Sequence, residues 1–312
     1  MERIPVIIDT DPGIDDFFAI MLANSSDKLD IQAMTSVAGN LQWEIVTKNV
    51  LDIASYLHMD CEIAKGAEKP LNATQLTAGH IHGGNGLGNV DLKVEPKTLS
   101  PDYAWDVIYK KAVEANGKLE IIALAPLTNI AIALLKYPDL HKMIHRLVVM
   151  GGSSDIGNDT PYGEFNAAAD PLATKIVFRS GIPLVMVGWN AAMKSKLTPA
   201  DIAQLTAIDT PYTENSAALL DFSLETYRKY GRDYIVLSDA LAVAYAIDPS
   251  VMECKDYYVG IETVSSLNLG RTVVDFDRIY KDKPLNCSVG LEVNQEIYMN
   301  LLKKMMQHYK TE

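Results

Sequence analysis

The sequence predicts one α/β domain over residues 1–312, built on a doubly wound, mainly parallel sheet flanked by helices, and three observations predict it. Short β-branched runs alternate with stretches whose apolar residues fall at helical spacing, the pattern of parallel strands joined by crossover helices. Polar residues gather where the apolar runs stop, which is where α/β sheets carry their ligand sites. No internal repeat, low-complexity tract or Pro/Ser-rich linker divides the chain, and 312 residues that are 48% hydrophobic suffice for one large core.

Residues 3–8 are short and β-branched, as a strand buried on both faces is. Pro12-Gly13 then turns the chain, and Asp15, Asp16, Phe17, Phe18, Ile20, Met21 and Leu22 open a helix. Asp9, Asp11, Asp15 and Asp16 therefore collect just past the end of a strand. Like charges this close raise one another's pKa unless a cation neutralises them, and hard carboxylate oxygens suit calcium or magnesium better than zinc. A solvated turn with a helix cap explains two aspartates comfortably and four poorly.

Residues 29–37 give a second strand, ending in Ala38-Gly39-Asn40, and residues 43–57 carry Ile45, Val46, Val50, Ile53, Ala54 and Leu57 at helical spacing. From 66 to 100 periodicity fades around His80-Ile81-His82-Gly83-Gly84-Asn85-Gly86-Leu87-Gly88-Asn89. A long glycine-rich connection in a compact domain is usually functional or disordered, so His82 on a mobile loop over a pocket competes with a plain surface loop. The Lys-Ser/Thr of a phosphate-binding P-loop is missing.

Regular structure resumes with a helix at 103–115, a strand at 119–124, a helix at 126–135 opened by Pro126, and a strand at 146–150. The Leu124 carbonyl, at a strand end, could join the aspartates. The polar loop from Gly157 through Asn158 to Glu164-Phe165-Asn166 suits hydrogen bonding to a sugar, although turn-forming residues give the same composition. A helix at 171–180, a strand at 182–187, and helices at 199–205 and 213–230 follow, the last stopped by Gly231. Asp239 falls in the first turn of a small-residue helix, where it either complements the dipole or ligates a metal. Residues 257–262 and 271–276 form a hairpin, and 294–309 an amphipathic C-terminal helix.

A net charge of -12 argues against a nucleic-acid backbone as partner. No apolar run is long enough to span a bilayer and no leader pattern precedes the first strand, so neither membrane nor export is expected and the cytoplasm is. Cys61, Cys254 and Cys287 are too few and too dispersed for a disulfide framework or a zinc site.

Taken together, these polar clusters resemble the inosine-uridine preferring type of nucleoside hydrolases over nearly the whole chain. Asp9-Thr10-Asp11-Pro12-Gly13-Ile14-Asp15-Asp16 is similar to that family's DxDPGxDD signature without a mismatch, Ala125-Pro126-Leu127-Thr128-Asn129 to its GPLTN segment, and Glu164-Phe165-Asn166 to its EFN segment. The resemblance implies the nucleoside hydrolase fold and calcium-dependent hydrolysis of the N-glycosidic bond of ribonucleosides to free base and ribose, in a homodimer or homotetramer. It implies calcium ligands Asp11, Asp16, Asp239 and the Leu124 carbonyl, with Asp11 also the general base for a calcium-held water. Asp15, Asn40, Asn158, Glu164 and Asn166 would bind ribose hydroxyls, Phe165 would wall the sugar, and Asp9 would support the loop.

Two stretches depart from the pattern. Ser238 stands before Asp239 where many members have a histidine close to the base, and serine is no general acid near neutral pH. His82 could then protonate the base from another side, and Tyr230 and Ser238 could contact it. Gly188-Trp189-Asn190-Ala191-Ala192 replaces a Leu-Asp-Val-Thr type segment, Trp189 either stacking on a base or filling the core. Two alternatives stay open: a weak or inactive nucleoside- or ribose-binding homologue, motivated by Ser238, and a metal-dependent phosphohydrolase, which Asp9-Thr10-Asp11 superficially suggests.

Overall fold

Strand β1 (Ile4–Thr10) runs through the middle of the sheet, and its side chains alternate between two buried layers: Val6 and Ile8 on one face, Ile7 on the other. Such alternation with both sets buried makes the strand read as a continuous apolar run. The computed structural model describes residues 3–311. After β1 come β2 (Leu29–Ser36), β3 (Glu62–Lys65), β4 (Leu119–Ala123), β5 (Ile144–Met150), β6 (Leu184–Val187), β7 (Met252–Tyr257), β8 (Val259–Ile261), β9 (Thr272–Val274) and β10 (Cys287–Val293). The large sheet has the order β3-β2-β1-β4-β5-β6-β10-β7, parallel throughout except for the antiparallel edge pair β10 and β7. β8 and β9 form a separate antiparallel pair, the hairpin expected at 257–276.

The chain builds outward from β1 to β3, then returns to lay β4 on the other side of β1. That reversal opens a crevice beyond the carboxyl ends of β1 and β4, the position at which doubly wound sheets bind ligands. Helices cover both faces. Ile14–Asn24, Trp43–Tyr56, Thr213–Lys229, Ser238–Ile247 and Gln295–His308 pack on the Val6/Ile8 face, and Ala104–Glu114, Thr128–Lys136 and Pro171–Phe178 on the Ile7 face. Every residue of Ser238–Ile247 is buried, which explains its small-residue composition: it packs closely against Ile14–Asn24 beneath the crevice.

Three strands were not legible in the sequence. β3 has four residues, and β7 buries only its end residues Met252 and Tyr257 while Glu253, Lys255 and Asp256 are exposed, so this edge strand shows no clean alternation. β10, its partner, was hidden by the same uncertainty about the C-terminal third. The helix expected from Pro126 begins at Thr128, whose amide donates to the Pro126 carbonyl at 2.8 Å, so the proline belongs to the preceding turn. Between β3 and Ala104 the only helical turn among the described residues is Gly79–His82. The rest of that connection is nonetheless tied down: Ala78 N donates to Asn40 O at 2.7 Å, and Asn49 Nδ2 donates to Asn85 O at 2.8 Å and Pro12 O at 3.2 Å. No described helix is long and apolar enough to cross a membrane.

Candidate active site

The loop after β1 distributes its aspartates by backbone geometry. Asp9 is the last inward residue of the strand, paired with Thr35 on β2, whose hydroxyl donates to Asp9 Oδ1 at 2.5 Å. Asn129 Nδ2 donates to the same oxygen at 2.7 Å and to Ser36 O at 3.0 Å, while Asn129 Oδ1 accepts from Ala67 N at 2.8 Å. Asn129 therefore ties three strand ends together behind the crevice. Asp11 follows in the loop, fully buried, with Oδ2 accepting from Asn40 N at 2.6 Å and Oδ1 left without a hydrogen-bond partner.

Gly13 caps the helix Ile14–Asn24, which puts Asp15 and Asp16 at its second and third positions. Asp16 reaches back so that its Oδ2 accepts from Gly13 N at 2.9 Å, half of a capping box, and its Oδ1 accepts from Thr10 Oγ1 at 2.5 Å. Asp15, about 100° further round the helix, faces the pocket instead. Oxygens of Asp15, Asp16 and Asp239 come within 4.8 Å of one another. Burial, reinforced by mutual repulsion, raises the carboxyl groups of Asp11 and Asp239 well above the usual range and brings Asp16 to about 7. Asp9 is likewise pushed up to about 7 by burial.

An orphaned buried carboxylate oxygen on Asp11, beside three further carboxylates that pair with no Lys or Arg among the described residues, fits a hard metal ion bound through oxygen. The expected ligand set and the tightest cluster differ in one member, Asp15 in place of Asp11. Asp15 is partly exposed and its Oδ2 already accepts from Ser238 Oγ at 2.8 Å, whereas Asp11 has a free oxygen in the interior, so the chemistry favours Asp11.

A pocket opens over these groups. It is lined by Asp15, Asn40, His82, Leu124, Asn158, Glu164, Phe165, Asn166, Trp189, Tyr230, Ser238 and Asp239 among others, so every candidate residue except the buried Asp11 and Asp16 reaches its surface. Asp9 stands behind it. Glu164 caps the short helix Phe165–Ala169, its carboxylate accepting from Gly152 N at 2.7 Å, Asn166 N at 3.0 Å and Ala167 N at 3.1 Å. Those bonds favour the charged form, but burial prevails and pushes Glu164 up to about 7. Asn166 Nδ2 donates to Leu124 O at 2.9 Å and Met150 O at 3.1 Å, and Asn158 Oδ1 accepts from Phe165 N at 2.8 Å. β9 holds this loop from outside, Thr272 Oγ1 donating to Ser153 O at 2.6 Å.

His82 Nδ1 accepts from Ile14 N at 3.1 Å, so the neutral ring carries its proton on Nε2, and burial lowers its pKa. Its ring is thus a neutral hydrogen-bond donor more than an acid. Trp189 fills a small core with Ala192 and Val236 and also presents surface to the pocket. The sequence did not single out Thr10, Asn129, His80, Asp159, Tyr227 or Arg232. Asn129 lay in the quoted segment, and Tyr227 and Arg232 flank Tyr230, but only the fold brings them to the crevice.

A family model described as inosine-uridine preferring nucleoside hydrolase matches residues 6–300. The pyrimidine-specific ribonucleoside hydrolase RihA of Salmonella typhimurium (strain LT2) is 37% identical over 309 residues, covering 98% of this chain and 99% of the relative. Among solved structures, a plant nucleoside hydrolase superposes with a TM-score of 0.92 at 29% identity over 98% of this chain and 99% of its own. A purine-preferring ribonucleoside hydrolase from Gardnerella vaginalis gives 0.92 at 28% identity over 99% and 100%.

Proposed function

The chain belongs to the inosine-uridine preferring nucleoside hydrolase family and is a ribonucleoside hydrolase, and on that footing we propose that it cleaves the N-glycosidic bond with calcium held by Asp11, Asp16, Asp239 and the Leu124 carbonyl. With an N-glycosidase established, the phosphohydrolase and binding-only alternatives give way. The observation that carries the proposal is the unpartnered, fully buried Oδ1 of Asp11 amid the carboxylates of Asp15, Asp16 and Asp239. When bound, calcium supplies charge that keeps these groups ionised and lowers the pKa of water.

The chain's own residues do the rest. Asn40 N fixes Asp11 Oδ2, which orients the carboxylate to take the proton of the attacking water as general base. Asp15, Asn40, Asn158, Glu164 and Asn166 bind the ribose hydroxyls, and Phe165 closes the sugar side. Departure of the base builds positive charge on the sugar, and a carboxylate-rich pocket stabilises that oxocarbenium-like state. Ser238 acts through Asp15, donating to it rather than to the base.

The relatives' names divide between pyrimidine and purine substrates, and the higher identity to the pyrimidine-specific enzyme puts cytidine and uridine first. The test is release of reducing sugar from a panel of purine and pyrimidine ribonucleosides, with calcium and with chelator. Turnover that chelator abolishes and calcium restores supports the proposal. Turnover indifferent to chelator refutes the metal, and no turnover of any common ribonucleoside refutes the whole.

A further inference from the structure

The pocket lining divides by chemistry. Asp15, Asn40, Asn158, Glu164, Asn166 and Asp239 suit a polyol, whereas Ser223, Tyr227, Tyr230, Arg232, Val236 and Leu237, from one helix and the turn after it, present aromatic and apolar surface with a single cation and no carboxylate. A flat heterocycle fits the second group. Arg232 is unneutralised there. The adjacent acid, Asp233, is engaged by Arg228 Nε at 2.8 Å, and no ion pair or side-chain hydrogen bond of Arg232 occurs among the described residues. Its backbone is nonetheless fixed, Arg232 N donating to Tyr227 O at 3.1 Å.

The hydroxyl and neutral imidazole donors around this wall are weak acids. Ser238 Oγ donates to Asp15 at 2.8 Å, and His82 Nδ1 accepts from Ile14 N at 3.1 Å, which leaves the neutral ring only its Nε2 proton. Burial pushes the Tyr227 phenol up, so it keeps its proton. A base leaving from this pocket therefore meets a fixed positive charge more readily than an acid.

We propose that Arg232 stabilises the departing base as an anion and so sets which leaving groups the enzyme can expel. The C1′–N bond breaks with its electron pair passing to the base nitrogen. The oxygen of water bonds to C1′, the water proton goes to Asp11, and the base anion, paired with the guanidinium, takes a proton from solvent after it leaves. This inference rests on the hydrolase mechanism proposed above.

The experiment compares wild type with Arg232→Gln, Arg232→Ala and Arg232→Lys on two substrates: the ribonucleoside that wild type turns over fastest, and a nitrophenyl riboside, whose leaving group is stable as an anion. Wild-type turnover of the nitrophenyl riboside checks hydrolysis itself; its absence refutes the mechanism rather than Arg232 alone. The Gln and Ala variants are expected to lose about 10- to 100-fold in kcat on the nucleoside, the scale of one lost charge-stabilising donor discounted for exposure. On the nitrophenyl riboside the loss is expected to stay below about 3-fold, and Lys to recover most of the nucleoside rate. Equal losses on both substrates, or no loss on the nucleoside, overturn the inference.

Discussion

Replacing Gly39 with alanine tests whether the placement of Asp11 governs turnover. A Cβ built at Gly39 lies 1.9 Å from Asp11 Oδ2 and 2.8 Å from Pro126 Cδ. Ordinary contact would require roughly 1.5 Å more room at the carboxylate. The loop cannot easily retreat, since Val37 N donates to Thr10 O at 3.2 Å and Ala38 N to Ala67 O at 2.9 Å on one side, and Asn40 N holds Asp11 on the other. The carboxylate must therefore swing, breaking its 2.6 Å bond to Asn40 N. A misplacement of about 1 Å at a reacting group can cost ~100-fold in rate. Overpacking of this size costs about 1–3 kcal/mol of stability, or several degrees in melting temperature. The assay is kcat for ribose release at saturating nucleoside and calcium, with a thermal melt alongside. An activity within about 3-fold of wild type would mean that Asp11 is not held where the chemistry needs it, and the argument from Gly39 would fail.

Asp11→Asn should lower kcat by more than ~1,000-fold while circular dichroism stays native; a loss of only a few-fold would show that another group takes the proton. Ser238→Ala removes the donor to Asp15 and should raise KM for ribonucleosides about 5- to 10-fold, with Ser238→Thr close to wild type; an unchanged KM would show that Asp15 needs no such support. In chelator, stability should fall as pH rises, because Glu164 goes from an ordinary 4.5 to about 7 on folding. The folded protein then binds the extra proton, so that contribution is complete below 4.5 and lost as pH passes about 7. Glu164→Gln should flatten the decline in melting temperature between those limits, and an undiminished slope would remove Glu164 from the account.

Much of the parallel half of the fold and the polar floor of the site were readable from residue order. β1 and the following Asp-Pro-Gly turn announce themselves because an apolar run ends in charges, and Asn40 and Leu124 stand out at strand ends, whereas Glu164 and Asn166 were singled out only by their resemblance to the family's EFN segment. β3, β7 and β10 were not: β3 is a four-residue edge strand, β7 is an edge strand without clean alternation, and β10 mixes buried and half-buried positions along its length. Nor could the sequence show that Ser238 turns to Asp15, 223 residues away, or that Asn129 reaches Asp9 across 120. Those are side-chain bonds between distant segments, and only the sheet order brings them together.

The same contrast explains how one scaffold can hold its sugar chemistry constant while the base varies. Asp11, Asp15 and Asp16 come from a single strand-to-helix junction, where a loop, a helix N-terminus and Gly39 leave each carboxylate one direction to point. The surface suited to the base comes from the end of Thr213–Lys229 and the turn through Leu237, joined to that junction at the pocket through Ser238 and its bond to Asp15. Changes at Tyr227, Tyr230 or Arg232 alter the shape and charge offered to a heterocycle without touching a residue that orients Asp11. A serine at 238 is consistent with this division: it keeps the link to the sugar side and leaves the base to be met by charge and aromatic surface.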